Sequence, residues 1–171
     1  SIATGSADRT AAVWDAKSGA PLLVLRGHTD IVRAVAFSPD GGRLATGSDD
    51  QTAGLWRLEG GWTLSMPTWR LEGCGSMLQL SGHDDTIRSV QFSPSGCAVV
   101  TGSCDGTARV WNTLTGECSL RLVGHTGHIC SVAYSLDGQS IATSSWDGSA
   151  RVWNAATGEC TLMLRGHAEV V

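Results

Sequence analysis

Lysine is almost missing from this chain: Lys17 stands alone, and the other basic residues are arginines scattered along the length. With a formal net charge of −4 over 171 residues, no basic stripe draws the chain to nucleic acid or to anionic lipid. Long apolar runs are missing too, and none approaches the roughly 20 residues that cross a bilayer. The six cysteines show no CxxC spacing, and several fall within predicted strands, which fits reduced thiols in a cytosol-like compartment better than disulfides. No G-x-S-x-G, H-E-x-x-H or phosphate-loop motif occurs, so hydrolase, zinc-protease and nucleotide-binding readings have no local support. No secretory leader is expected, because residue 1 already lies inside the repeat described next.

What is present is periodic. Gly-His occurs at Gly27-His28, Gly82-His83, Gly124-His125 and Gly166-His167, with steps of 55, 42 and 42 residues. Trp14, Trp56, Trp111 and Trp153 follow one another at 42, 55 and 42, and six residues before them stand Asp8, Asp50, Asp105 and Asp147. The one long step has a visible cause: Trp56-Arg57-Leu58-Glu59-Gly60 reappears 13 residues later as Trp69-Arg70-Leu71-Glu72-Gly73. A short tandem duplication lengthens one loop and leaves the beat around it intact.

Within a repeat the local signals are β. Residues 31–37 read as a first strand, closed by the turn Ser38-Pro39-Asp40-Gly41. Residues 43–48 read as a second strand, whose weak alternation suits packing on both faces. Asp49-Asp50-Gln51 makes a tight turn into a third strand over 52–56, and 118–122 and 160–164 read as fourth strands. Asp105-Gly106 and Asp147-Gly148 supply residues that tolerate positive φ in a hairpin turn. No segment of helical period competes.

A period of 42 residues with four short strands, Gly-His near its start and Trp ending its third strand, resembles the WD40 family. The resemblance covers nearly the whole chain and agrees in order, spacing and residue type, although the Trp-Asp pair itself holds only at Trp14-Asp15. It implies an all-β fold: an arc of about four four-stranded antiparallel blades belonging to a larger propeller of about seven. The expected blades are 1–26, lacking its inner strand, then 27–81 with an inserted loop over 58–76, then 82–123 and 124–165. Residues 166–171 are expected to start another. Pairing of two arcs, or closure as a four-bladed ring, is the other reading.

The same resemblance implies one hydrogen-bonded network per blade. Its members are His28, Thr46, Asp50 and Trp56; His83, Thr101, Asp105 and Trp111; and His125, Thr143, Asp147 and Trp153. The first blade keeps Thr4, Asp8 and Trp14. Ser6, Ser48, Ser103 and Ser145, two residues beyond each threonine, are alternative hydroxyls that the sequence does not separate. An indole N–H only donates, a carboxylate only accepts, and hydroxyl and neutral imidazole do both, so a chain from Trp to hydroxyl to His to Asp satisfies every member. A hydrolase triad is disfavoured because the set recurs in every blade, so no catalytic residue, metal ligand or cofactor site is assigned.

Partners in such a family commonly bind on the face formed by the Gly-His loops and the second-to-third-strand turns. The variable positions there are Ile31 and Arg33, Thr86 and Arg88, His128 and Cys130, with Asp49, Cys104 and Trp146 (and Ala7 in the first blade) just before each framework aspartate. Trp146 suits an interaction hot spot, or else packs on a neighbouring loop. Arg33 and Arg88 suit an acidic partner or simple solvation. Cys104, His128 and Cys130 lack zinc spacing, and Cys118 and Cys160 are expected to pack as small apolar side chains. Trp62, Met66 and Trp69 in the inserted loop offer a private docking site or a neutral duplication. The expected function is a non-catalytic scaffold or adaptor for other proteins or peptides, binding no nucleic acid and entering no membrane. The alternatives are the substrate-recognition part of a ubiquitin ligase or other enzyme complex, and a structural protein of cilium or microtubule. Cytoplasm is the expected compartment, with cytoskeletal, ciliary and nuclear placements left open.

Overall fold

The structure, a computed structural model, describes residues 1–58 and 77–166. Apart from Leu58 and Gly166, the segments expected over 58–76 and 166–171 lie outside the described residues. Four antiparallel sheets follow in chain order, and no helix occurs among the described residues. The first sheet has three strands, β1 (Ile2–Gly5), β2 (Thr10–Trp14) and β3 (Pro21–Arg26). The second has four, β4 (Val32–Phe37), β5 (Arg43–Ser48), β6 (Ala53–Arg57) and β7 (Met77–Leu80). The third runs β8 (Ile87–Phe92), β9 (Ala98–Ser103), β10 (Thr107–Asn112) and β11 (Cys118–Val123). The fourth repeats it as β12 (Ile129–Tyr134), β13 (Ser140–Ser145), β14 (Ser149–Asn154) and β15 (Cys160–Arg165). Within each sheet neighbours in sequence are neighbours in space, so every sheet is a simple meander.

The sheets stack face to face. Ala45, Ala53, Leu55 and Leu80 of the second pack on Ile87, Val90, Phe92, Val99 and Trp111 of the third. Val100, Ala108, Val110 and Leu122 of the third meet Ile129, Val132, Ile141 and Trp153 of the fourth. Each indole thus seals its sheet against the one before. A side chain fully buried in this way stabilises by about 1.5–3 kcal/mol. Burial on both faces explains why β5 and β9 show no hydrophobic alternation: five of the six residues in each are buried.

Two glycines set the spacing. A Cβ on Gly47 would lie 2.6 Å from Cγ2 of Ile87, and one on Gly102 would lie 2.7 Å from Cγ2 of Ile129. Only hydrogen fits there, so the innermost strand of one sheet can lie close against the second strand of the previous one. β4 packs beside β8, and β8 beside β12, which lines these three innermost strands along one edge of the stack.

Each innermost strand begins with a bulge. Val32 pairs Ser48 but Ala34 pairs Gly47, which leaves Arg33 as the extra residue; Arg88 and Cys130 stand in the same place in the next two sheets. The bulge re-aims these side chains, and the strand itself begins at Val32, one residue after the expected start. A second register shift falls between Val110 and Trp111 and between Val152 and Trp153. Cys118 and Cys160 sit beside these shifts and, contrary to the packing expected of them, are exposed, because the outermost strands that carry them are largely exposed, β15 along its whole length.

Candidate functional site

The polar framework repeats almost atom for atom. Trp56 Nε1 donates to Thr46 Oγ1 at 2.9 Å, Trp111 to Thr101 at 2.8 Å and Trp153 to Thr143 at 2.9 Å. Nε2 of His28, His83 and His125 lies 2.7, 2.8 and 2.7 Å from the same hydroxyls. Their Nδ1 atoms lie 2.8, 2.7 and 2.8 Å from Oδ2 of Asp50, Asp105 and Asp147. A carboxylate only accepts, so each Nδ1 carries the proton and donates it. The tautomer with its proton on Nδ1 has a lone pair at Nε2, into which the threonine O–H donates. Each threonine therefore accepts from indole and gives to imidazole.

The aspartates do more than orient a ring. Burial raises the carboxyl pKa of Asp50, Asp105 and Asp147, but hydrogen bonds reverse it, and all three are held below the ordinary carboxylate range. Donors to Asp105 are the N–H and hydroxyl of Thr107 at 2.8 and 2.7 Å and the N–H of Asp84 at 3.1 Å, besides His83. The serine alternative has a different place. Ser48 and Ser103 accept from the N–H of Asp50 and Asp105 at 3.1 Å and donate to the carbonyls of Asp30 and Asp85, so they close the turn.

The first sheet shows the framework without its imidazole. Trp14 donates to Thr4 at 2.8 Å and Asp8 accepts from Thr10, yet Thr4 and Asp8 are exposed. Arg9 there and Gln51 in the second sheet take φ of 72° and 69° at the turn position that Gly106 and Gly148 fill in the later sheets.

The variable positions gather at the bulged edge, and the structure pairs them within each sheet. Asp49, Cys104 and Trp146 each donate a backbone N–H at 2.9 Å to the carbonyl of Ile31, Thr86 and His128. That bond brings each turn residue beside the bulged residue of its own sheet. In the second sheet the pair is ionic: Arg33 grips Asp49 through Nε at 2.8 Å and Nη2 at 2.6 Å, which lowers the Asp49 pKa against the effect of burial. In the third sheet Arg88 Nε meets only the Cys104 sulfur, at 3.1 Å. In the fourth sheet the pair is Cys130 and Trp146, and burial pushes the Cys130 thiol up while the Arg88 cation opposes it.

Trp146 links sheets. The Arg88 guanidinium carbon lies 5.4 Å from its ring centroid, and His128 meets it edge-on at 4.9 Å. Even so clasped, the indole is 48% exposed. It both packs on a neighbouring blade and faces solvent. Among the described residues no group of three or more His, Cys, Asp or Glu side chains could hold a metal ion, and the five cysteines there are free.

Meandering four-stranded sheets stacked about a common inner edge, with one buried Trp-Thr-His-Asp chain apiece, define an arc of a β-propeller. The model of the family "WD domain, G-beta repeat" matches residues 19–57, 74–112 and 116–154, and the chain belongs to this WD40 family. Its first matched unit joins the outer strand of the first sheet to three strands of the second, so the sequence repeat interlocks adjacent blades. Among relatives, nuclear distribution protein nudF of Aspergillus flavus is 34% identical over 119 residues, 69% of this chain and 24% of that protein. WD repeat and SOCS box-containing protein 1 of Takifugu rubripes is 30% identical over 112 residues, 65% of this chain and 23% of that protein. Ribosome assembly protein 4 of Chaetomium thermophilum is 55% identical over 40 residues, 23% of this chain and 8% of that protein. The chain spans about a quarter of the length of the first two. WD40 repeats mediate protein interactions and are typically non-catalytic. No described helix is long and apolar enough to cross a membrane.

Proposed function

We propose that this chain is a scaffold or adaptor arc within a larger propeller of about seven blades, with blade limits at 1–26, 27–81, 82–123 and 124–165. It holds protein or peptide partners of a multiprotein complex on its bulged edge, without catalysis, and the cytoplasm is the compartment we assign. The observation that carries this reading is Trp146, a tryptophan 48% exposed in a turn and set against Arg88, His128 and Cys130. Large indole area at low entropic cost, beside a guanidinium, is what interaction hot spots offer. The framework residues take no part in binding in this account; they hold the turn that presents Trp146.

Similarity to a protein named for a SOCS box supports a second reading, in which the arc is the substrate-recognition part of an enzyme complex. The same face would then hold a substrate in place of an assembly partner. Co-purification with the intact protein separates the two by the presence or absence of a ligase. Either way, Trp146→Ala is expected to weaken capture of the main partner in a pull-down titration while costing about 1 kcal/mol of stability, the worth of its contacts with Arg88 and His128. Unchanged affinity removes Trp146 from the site.

A further inference from the structure

The three equivalent pairs at the bulged edge differ in one electrical respect. Arg33 spends its Nε and Nη2 on a carboxylate of its own blade, Asp49. Arg88, at the same position one blade on, faces Cys104 where Asp49 would be. Among the described residues it has no carboxylate within ion-pair distance. Its Nε is directed at a sulfur, a weak acceptor, and the residue is exposed, with no hydrogen bond from either terminal amino group among the described residues. The Arg88 guanidinium carbon lies over the Trp146 ring, 5.4 Å from its centroid, a cation–π contact. Cys130, the third equivalent, carries no charge to compete.

We infer that Arg88 and Trp146 form a recognition site for a single carboxylate flanked by an apolar residue, in an acidic peptide segment of the partner. The inference rests on the proposed docking face and narrows its partner. A guanidinium with two free amino groups binds a carboxylate bidentately, and the indole beside it receives the adjoining aliphatic side chain. Charge balance favours a carboxylate over a phosphate. The edge offers one uncompensated cation, Asp49 acts on Arg88 from one side, and Asp84 and Asp85 stand in the loop just before it; a dianion would meet more repulsion than a monoanion there.

Blade 2 supplies the design of the test. Cys104→Asp copies the Arg33–Asp49 arrangement into blade 3, so Arg88 is neutralised from within while the cation and the indole both stay in place. The probe is a fluorescein-labelled peptide with Glu between two leucines, titrated by anisotropy against the intact protein, alongside its Gln and phosphoserine counterparts. The Glu peptide is expected to bind at least about tenfold more tightly than the Gln peptide, the worth of a charge-assisted pair. Cys104→Asp should abolish that preference with an unchanged near-ultraviolet circular dichroism spectrum. Arg88→Glu should reverse it, so that a Lys-centred peptide binds in place of the Glu peptide, a gain that misfolding does not produce. Equal binding of Glu and Gln peptides, or full retention of the preference in Cys104→Asp, overturns the assignment, and tighter binding of the phosphoserine peptide overturns the choice of carboxylate. If Trp146→Ala loses the cellular partner while Cys104→Asp and Arg88→Glu keep it, the docking face stands and the acidic partner falls.

Discussion

The buried framework and the bulged edge are built from the same repeat, yet they treat variation in opposite ways. Across three blades the Trp–Thr, Thr–His and His–Asp distances agree within about a tenth of an ångström. At the edge, equivalent positions hold an ion pair, an arginine against a thiol, and a thiol beside an indole. The difference follows from solvent. A buried donor without an acceptor costs roughly 1–3 kcal/mol, so each framework member fixes the next. At the edge water can satisfy any group left over, and side chains are free to serve a partner.

The comparison breaks most severely at the central hydroxyl. Thr101→Val keeps the shape of the side chain but orphans Trp111 Nε1 and His83 Nε2 together. A loss of about 2–4 kcal/mol of stability is expected, read from chemical denaturation, because two buried groups lose their partner at once. The edge counterpart, Asp49→Ala, frees an arginine whose side chain is 43% exposed, and is expected to cost about 1 kcal/mol or less.

Acid tests the same contrast through charge. The native pKa of Asp105 lies below its ordinary value, so the ionised form is the one the fold stabilises. Its contribution is complete above the ordinary carboxylate range and is lost as pH falls through that range towards the native value, from about pH 5 downward. Asp105→Asn removes the titrating group. Its stability near neutral pH should be lower than that of the unsubstituted protein, and its decline between about pH 5 and pH 2 shallower. Parallel pH profiles would show that Asp105 is not linked to folding.

The smallest effect sharpens the comparison by improving a blade. Gln51 holds φ at 69° where Gly106 and Gly148 serve the later blades. Gln51→Gly should therefore stabilise by about 0.5–1 kcal/mol, as relief of left-handed strain exceeds the entropy of added chain freedom. A lowered unfolding midpoint would mean that the Gln51 side chain contributes more than its backbone costs.

Much of this architecture was legible in the sequence, for a physical reason. Trp56, Trp111 and Trp153 each fill a closed space between two sheets, and a space that recurs demands the same residue at the same interval. Strand irregularities were less legible: the bulges at Arg33, Arg88 and Cys130 add a residue inside each innermost strand without altering the hydrophobic pattern. The choice between Thr46 and Ser48 also lay beyond pattern, since both hydroxyls share a strand face. Only the turn geometry sends one to the indole and the other to the Asp50 N–H. The Arg33–Asp49 pair was hidden because its members are 16 residues apart and meet only across a bulge. A repeat-aligned reading of opposite charges at equivalent positions is the signal that would have found it. Cys118 and Cys160 depart from the packed expectation because the outermost strands that carry them are largely exposed.

In the proposed division of labour the framework holds the fold and the edge holds partners. Measuring partner affinity and unfolding midpoint together, for Trp146→Ala and Thr101→Val in the intact protein, tests that division most directly. Trp146→Ala should lose affinity with only a small drop in midpoint, while Thr101→Val should lower the midpoint much further and, below it, keep its affinity. If Trp146→Ala instead unfolds as early as Thr101→Val, or binds its partner undiminished, the division is wrong.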